Sequence, residues 1–349
     1  MPLHCGLEHY EREDAMKDSH GRVIDYLRIS LTDRCNFRCI YCMPAEGVQP
    51  MGHDEILRIE EIEAIARVAT RIGIRSVRLT GGEPLVRKGV VDLVKSLSTM
   101  PGIENVSMTT NGVLLPEMAD DLKAAGLSRV NISLDTLDPE QFTYITRVGR
   151  LESTLKGIDA ALAAGFNPVK INAVTVRRLN QDFLGFAKLS LERPLHVRFI
   201  EYMPVGSAAG TDGSGWDKTD VIPSEELLEI INDRAIDEGI PVLEPIDGEH
   251  KPIGWGPARY FEFPGAAGTV GFISPLSRHF CSECNRLRLT ADGKLRPCLF
   301  SDREVDVRAA LRDGGEDAAY ECFLEALNLK PDEHHDKVGT ERNMSQIGG

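Results

Sequence analysis

The chain has 349 residues and a formal net charge of -14, with 42% hydrophobic and 27% charged residues. That length buries a sizeable core in one large α/β domain with an extension, or in two domains. The acid excess argues against a general nucleic-acid binder, which needs a basic face to replace phosphate counterions.

Residues 1–20 are polar and without period, and are expected to form a flexible arm. Glu8, Glu11, Glu13 and Asp14 break the layout of a signal peptide, and no apolar run reaches the roughly eighteen residues of a membrane span. A cytoplasmic protein with no membrane partner is expected. From Tyr26 to Asp33 the sequence alternates, with Leu27, Ile29 and Leu31 on one side and Arg28, Ser30 and Thr32 on the other. This strand runs straight into Cys35-Asn-Phe-Arg-Cys39-Ile-Tyr-Cys42, three thiols on one short loop. A tetrahedral zinc needs a fourth ligand that the loop lacks, the next His being His53, whereas three thiolates on a four-iron cubane leave one iron open for chemistry.

Ile59, Ile62, Ile65, Ala66 and Ala69 then recur at helical spacing, and Val77 to Thr80 reads as a second strand ending in Gly81-Gly82-Glu83-Pro84. The alternation continues with helices near 89–98, 116–125, 152–164 and 181–191 and strands near 105–109, 129–135, 169–176 and 196–203. Six strands alternating with helices predict a parallel sheet curled into a partial TIM-type (βα)6 barrel over residues 21–204. Strands buried on both faces should be continuously apolar, yet these carry polar stripes: Arg28/Ser30/Thr32, Arg78/Thr80, Ser107/Thr109, Asn131/Ser133/Asp135 and Lys170/Asn172. The stripes predict a hollow interior that holds a ligand. An antiparallel sheet with one wet face is the alternative, and the intervening helices count against it.

Residues 205–349 are expected to form a C-terminal α+β extension. Gly206 to Gly215 reads as an exposed loop or hinge, a helix follows over Pro223 to Ile236, and short strands are expected at Arg259 to Phe263 and Thr269 to Ile273. A hairpin turns at Asp292-Gly293, and 305–312 and 316–327 look helical. Cys281-Ser-Glu-Cys284 with Cys298 makes a second triad. Here His279 is available as a fourth ligand, so zinc and iron-sulfur both remain open. Arg286 and Arg288, on one face of the following strand, suit phosphate or carboxylate recognition, the plain alternative being a solvated hairpin face. Cys5 and Cys322 stand outside both triads and read as structural or incidental.

The spacing CxxxCxxC, with aromatic Tyr41 before the third Cys, resembles the signature of radical S-adenosylmethionine (SAM) enzymes. The longer run Tyr26 to Pro44, Thr80-Gly-Gly-Glu-Pro84, Thr109-Thr-Asn-Gly112, Asn131-Ile-Ser-Leu-Asp135, Glu201-Tyr-Met-Pro204, the second triad with Asn285-Arg-Leu-Arg288, and the final Gly-Gly resemble the molybdenum cofactor biosynthesis protein A family, the GTP 3',8-cyclases. The resemblance spans roughly residues 21 to 349. It implies two 4Fe-4S clusters, on Cys35, Cys39 and Cys42 with SAM, and on Cys281, Cys284 and Cys298 with the guanine of GTP. It further implies Tyr41, Gly82, Ser133 and Met203 at SAM; Arg28, Arg78, Thr109, Lys170, Arg286, Leu287 and Arg288 at GTP; and Gly348 and Gly349 as a tail reaching the site. The activity implied is a lyase-type cyclisation of GTP to (8S)-3',8-cyclo-7,8-dihydroguanosine 5'-triphosphate, the first step of molybdenum cofactor biosynthesis. Its electron donor would be a reduced flavodoxin or ferredoxin, its successor in the pathway cyclic pyranopterin monophosphate synthase, and its state a monomer or homodimer. The runners-up are another radical SAM maturase or dehydrogenase with an auxiliary cluster, and a non-enzymatic iron-sulfur electron carrier.

Overall fold

The computed structural model describes residues 16–49, 51–52, 54–205, 218–246, 251–252, 256–334 and 340–348. Most of the expected arm, Cys5 included, the 206–215 hinge and Gly349 lie outside them. Residues 16–20 do not behave as an arm: Lys17 bridges to Val23, and buried Asp18 is paired with Arg22 at 2.6 Å. Order therefore begins before Gly21.

The expected alternation is present. β1 (Tyr26–Ser30), α1 (Ile59–Arg71), β2 (Ser76–Thr80), α2 (Val90–Ser98), β3 (Asn105–Thr110), α3 (Leu115–Ala124), β4 (Arg129–Ser133), α4 (Pro139–Thr146), α5 (Leu151–Ala163), β5 (Val169–Thr175), α6 (Phe183–Glu192) and β6 (Leu195–Glu201) follow one another. α4 was not expected, although Asp138 caps it by accepting from the Gln141 N–H at 2.6 Å and Pro139 opens its first turn. The extension supplies α7 (Ser224–Asp237), β7 (Glu244–Pro245), β8 (Arg259–Glu262), β9 (Thr269–Ile273), β10 (Arg286–Leu289), β11 (Lys294–Arg296), β12 (Val305–Asp306), α8 (Val307–Asn328) and α9 (Met344–Ile347). α8 breaks at Gly315, whose φ of 70° no helix allows, so it comprises two helices on either side of a kink, as expected from the sequence.

All of these strands form one unclosed sheet in the order β12-β11-β10-β1-β2-β3-β4-β5-β6-β9-β8-β7. The extension is not a separate layer. β10 adds in parallel to β1 and β9 in parallel to β6, so both edges of the six-stranded core are paired where they would otherwise present bare N–H and C=O groups. The outward faces are apolar: Leu27, Ile29, Leu79, Ile132, Ile171, Val197 and Leu289 are wholly buried against the helices. Each such side chain contributes about 1.5–3 kcal/mol relative to exposure. The acidic stretch 313–325 packs on α1, where Glu316 and Asp317 pair with Arg67 and Arg71.

The inward faces carry the polar stripes, and register places them in rows. Arg288, Arg28, Arg78, Ser107 and Arg129 are neighbours across five successive strands. A parallel sheet would not set such a row side by side unless its concave face held a ligand.

Candidate active site

The first triad sits on the loop leaving β1, which is fixed from several sides. Gly82 donates to the Thr32 carbonyl (2.7 Å), Glu83 N–H to the Arg34 carbonyl (2.8 Å), and Asn111 Nδ2 to Asn36 Oδ1 (2.6 Å). Glycine is required at position 82 because a Cβ there would lie 2.3 Å from the Arg34 carbonyl oxygen. The Glu83 carboxylate accepts from Thr110 Oγ1, Asn111 N and Leu85 N at 2.7–3.0 Å. Burial outweighs those bonds and pushes it up to about 7. Burial also raises the thiols, Cys35 to about 11, Cys42 to about 12 and Cys39 well upward, with mutual repulsion adding at Cys39 and Cys42. Thiolates in this place need a polycation among them.

The second triad is built from the turn Cys281–Glu283, from Cys284 and from Cys298 beyond the β10–β11 hairpin. Glu201, at the end of β6, accepts from Leu276 N and Ser277 N (3.0 Å each) and so anchors the loop that leads in. Two buried cations hold the cradle itself. Arg22 donates to the Cys281 carbonyl (2.8 Å) and to the carbonyls of Pro331 and Asp332. Lys330 donates to the carbonyls of Arg286 (2.8 Å) and Pro297 (2.9 Å) and reaches Cys284 Sγ at 3.5 Å. Burial raises the Cys284 thiol, but Lys330 and Arg286 together overcome it and bring it to about 7.

Among the described residues no three His, Cys, Asp or Glu side chains gather as the ligands of one ion. His279 faces Glu333 and the His334 ring instead. Ligands of a cubane each take a different iron, so they stand further apart than ligands of a single ion, and a donor set of three thiols in each triad fits such a cluster.

Both triads line one cavity of about 320 Å³. Tyr41, Gly82, Ser133 and Met203 line it too, as do Arg28, Arg78, Thr109, Arg286 and Arg288. Tyr41 donates its hydroxyl to Asp135 (2.5 Å), whose carboxyl burial raises to about 6. Burial and neighbouring guanidinium groups lower Arg28 well below its usual value and Arg78 and Arg288 to about 10. Like charges one strand spacing apart repel by about 3 kcal/mol per pair at an effective dielectric near 20. Among the described residues the buried Tyr26 Oη, Thr109 Oγ1, Arg198 Nε and Arg286 Nε have no hydrogen-bond partner. An anionic, oxygen-rich ligand answers both the repulsion and the unmet donors.

Two expected residues stand elsewhere. Leu287 is wholly buried in the apolar core, because strand alternation sends it to the face opposite Arg286 and Arg288, so its side chain is no ligand contact. Lys170 is not at the cavity wall. It lies on the inward face of β5, within 3.4 Å of the Tyr260 hydroxyl. The tail does arrive: a backbone hydrogen bond from Ser345 reaches the Cys42 thiol, and Arg288 Nη1 donates to the Gly348 carbonyl at 2.6 Å. Gly348 has φ 70°, and a Cβ there would meet Thr80 Oγ1 at 2.5 Å.

Sequence reading missed Arg198, which lines the cavity and donates to Asn131 and Asn172 (2.8 and 2.5 Å). Its signal was present, since Arg198 continues the inward stripe on β6. It also missed Glu83, Asp135 and Glu201 as anchors, though all three lay inside the quoted motifs. Arg22 and Lys330 carried no local signal.

A model of the Radical SAM superfamily matches residues 29–189, and one of Molybdenum Cofactor Synthesis C matches residues 195–336. The GTP 3',8-cyclase of Pelotomaculum thermopropionicum is 50% identical over 338 residues, and that of Moorella thermoacetica 52% identical over 338 residues; each alignment covers 96% of this chain and 100% of the relative. Among solved structures, Streptococcus suis SuiB bound to S-adenosylmethionine superposes with a TM-score of 0.55 at 17% identity, covering 86% of this chain and 65% of that one. That likeness concerns the fold.

Proposed function

We propose the following division of roles for a chain that belongs to the GTP 3',8-cyclase family of radical SAM enzymes. It is an enzyme that converts GTP to (8S)-3',8-cyclo-7,8-dihydroguanosine 5'-triphosphate in the first step of molybdenum cofactor biosynthesis, with SAM and two 4Fe-4S clusters. When bound, SAM and the first cluster would supply a 5'-deoxyadenosyl radical able to take the 3' hydrogen of the ribose; joining C3' to C8 of guanine then needs one further electron and one proton to give the closed-shell 7,8-dihydro product.

Cys35, Cys39 and Cys42 hold the first cluster, and Tyr41, Gly82, Ser133 and Met203 shape the SAM pocket beside it. Cys281, Cys284 and Cys298 hold the second. The guanidinium groups of Arg28, Arg78, Arg286 and Arg288 take the triphosphate, whose charge relieves their mutual repulsion, and Thr109 bonds a ribose or phosphate oxygen. Lys170 acts from behind that row as a charge reserve. Gly348 brings an unencumbered backbone against Arg288 and thereby orients it, and Gly349 belongs to the same tail. Enclosing the reactants excludes water and holds the reacting atoms in place.

The observation that carries this reading is the shared cavity, which brings six thiols and a row of arginines to one space. Residues 21–204 are assigned to the barrel and 205–349 to the extension. The donor is a reduced flavodoxin or ferredoxin, the product passes to cyclic pyranopterin monophosphate synthase, and the enzyme works in the cytoplasm as a monomer or homodimer. Among the described residues no helix is long and apolar enough to cross a membrane. The test replaces Arg286 and Arg288 by Ala: GTP affinity falls at least tenfold while uncoupled SAM cleavage persists. Unchanged GTP affinity would overturn the assignment.

A further inference from the structure

SAM cleavage consumes an electron that neither GTP nor SAM supplies, so a reductant must meet this chain near the first triad. The surface around that triad differs from the rest of the molecule. Three segments wrap the cysteine loop. One is the loop itself, residues 34–43. The second is 86–88, where the Arg87 guanidinium feels the charge of Arg34. The third is 144–150, which is tied to the loop by the bonds Arg38 N to Thr146 O (3.0 Å) and Ile40 N to Ile145 O (2.9 Å). Arg147 Nη1 also donates to the carbonyls of Arg38 and Met43, both at 3.0 Å.

Together these segments contain Arg34, Arg38, Arg87, Lys88, Arg147 and Arg150 and no acidic residue, in a chain whose net charge is -14. Arg34, Lys88 and Arg150 are exposed. The exposed acids nearest in sequence, Glu46, Asp92, Glu140 and Glu152, lie outside the three segments, and exposed Glu60 sets an opposite charge against Arg87. Large apolar side chains are exposed here as well: Tyr144 at 63%, Val148 at 61% and Val86 at 38%. Exposed apolar side chains together with an excess of positive charge are the composition of a transient protein interface steered by electrostatics.

We propose that this face is where an acidic one-electron carrier protein docks to reduce the first cluster. The proposal rests on the radical SAM reading of the Cys35–Cys42 loop and on the electron donor already proposed, and adds the surface on which that donor docks. In the step itself one electron leaves the carrier, which is oxidised by one equivalent, and enters the first cluster, which is reduced by one; no bond forms or breaks. Arg38 and Arg147 bond the loop's own backbone carbonyls and so hold the cysteine loop against this face.

The test compares two reductants on holoenzyme with Arg34→Glu, Lys88→Glu and Arg150→Glu combined, and separately with Tyr144→Ser and Val148→Ser. Formation of 5'-deoxyadenosine in the presence of GTP is driven either by a reduced acidic flavodoxin or by dithionite. The expected result is an at least tenfold weaker Kd for oxidised flavodoxin by calorimetry, at least a tenfold rise in the flavodoxin concentration needed for half-maximal rate, a flattened dependence on ionic strength, and a dithionite-driven rate within about twofold of the unaltered enzyme. Equal flavodoxin dependence in altered and unaltered enzymes would overturn the docking proposal and leave the cyclase reading intact. Failure of dithionite-reduced, unaltered enzyme to cleave SAM would instead sink the reading on which the proposal stands.

Discussion

Lys170 is nearly inaccessible, and burial, followed by the charges of Arg198, Arg129 and Arg78, lowers its ammonium from a usual 10.5 to about 6. In the ligand-free enzyme it is therefore neutral at about pH 8, whereas in an unfolded chain it would be charged. The unfolded state binds more protons between those two values, so ligand-free stability rises with pH there, by about 1.4 kcal/mol per unit. A triphosphate held by the neighbouring arginines reverses the local field and restores the ammonium. Doing so at about pH 8 costs about 2.7 kcal/mol, two units at about 1.36 each, which is subtracted from the binding energy. Binding of GTP to the holoenzyme should thus take up close to one proton at that pH, and affinity should weaken up to about tenfold per pH unit above pH 6. Calorimetry in two buffers of different ionisation heat counts the proton. Lys170→Met should lose the uptake and flatten the pH dependence. Equal proton counts for both proteins would refute the argument that this lysine is discharged until the nucleotide arrives.

Other expectations follow from single contacts. Lys330→Met leaves the buried carbonyls of Arg286 and Pro297 without their donor, a loss of about 2–4 kcal/mol at the second cradle; iron content should fall toward that of one cluster, with SAM cleavage still measurable, and full iron would contradict it. Gly82→Ala forces a Cβ against the Arg34 carbonyl; it should impair SAM cleavage more than tenfold while GTP affinity stays within about twofold. Deleting Gly348 and Gly349 removes the acceptor of Arg288. Both clusters should remain by iron assay and absorbance while cyclisation is abolished, and full activity would refute the tail's role.

The interior was legible because a strand alternates with period two, so Arg28, Arg78, Thr109 and Asn172 declared their common face before any coordinates. The same rule, applied to Arg286-Leu287-Arg288, sends Leu287 outward into the core, where the structure has it. What sequence did not disclose was long-range pairing. β10 is only four residues long and joins β1 in parallel across most of the chain, with no local pattern to say so. Arg22 and Lys330 act through backbone carbonyls brought near by that pairing, so their neighbours in sequence say nothing of their role. α9, a single turn, is too short to show a period.

The central claim is that one cavity brings the SAM-derived radical to the ribose of a nucleotide held by the arginine row. A single turnover with GTP deuterated at the ribose 3' position tests it most directly. The account requires deuterium in the 5'-deoxyadenosine that forms, in proportion to cyclised product. Deoxyadenosine free of deuterium, formed alongside product, would contradict it.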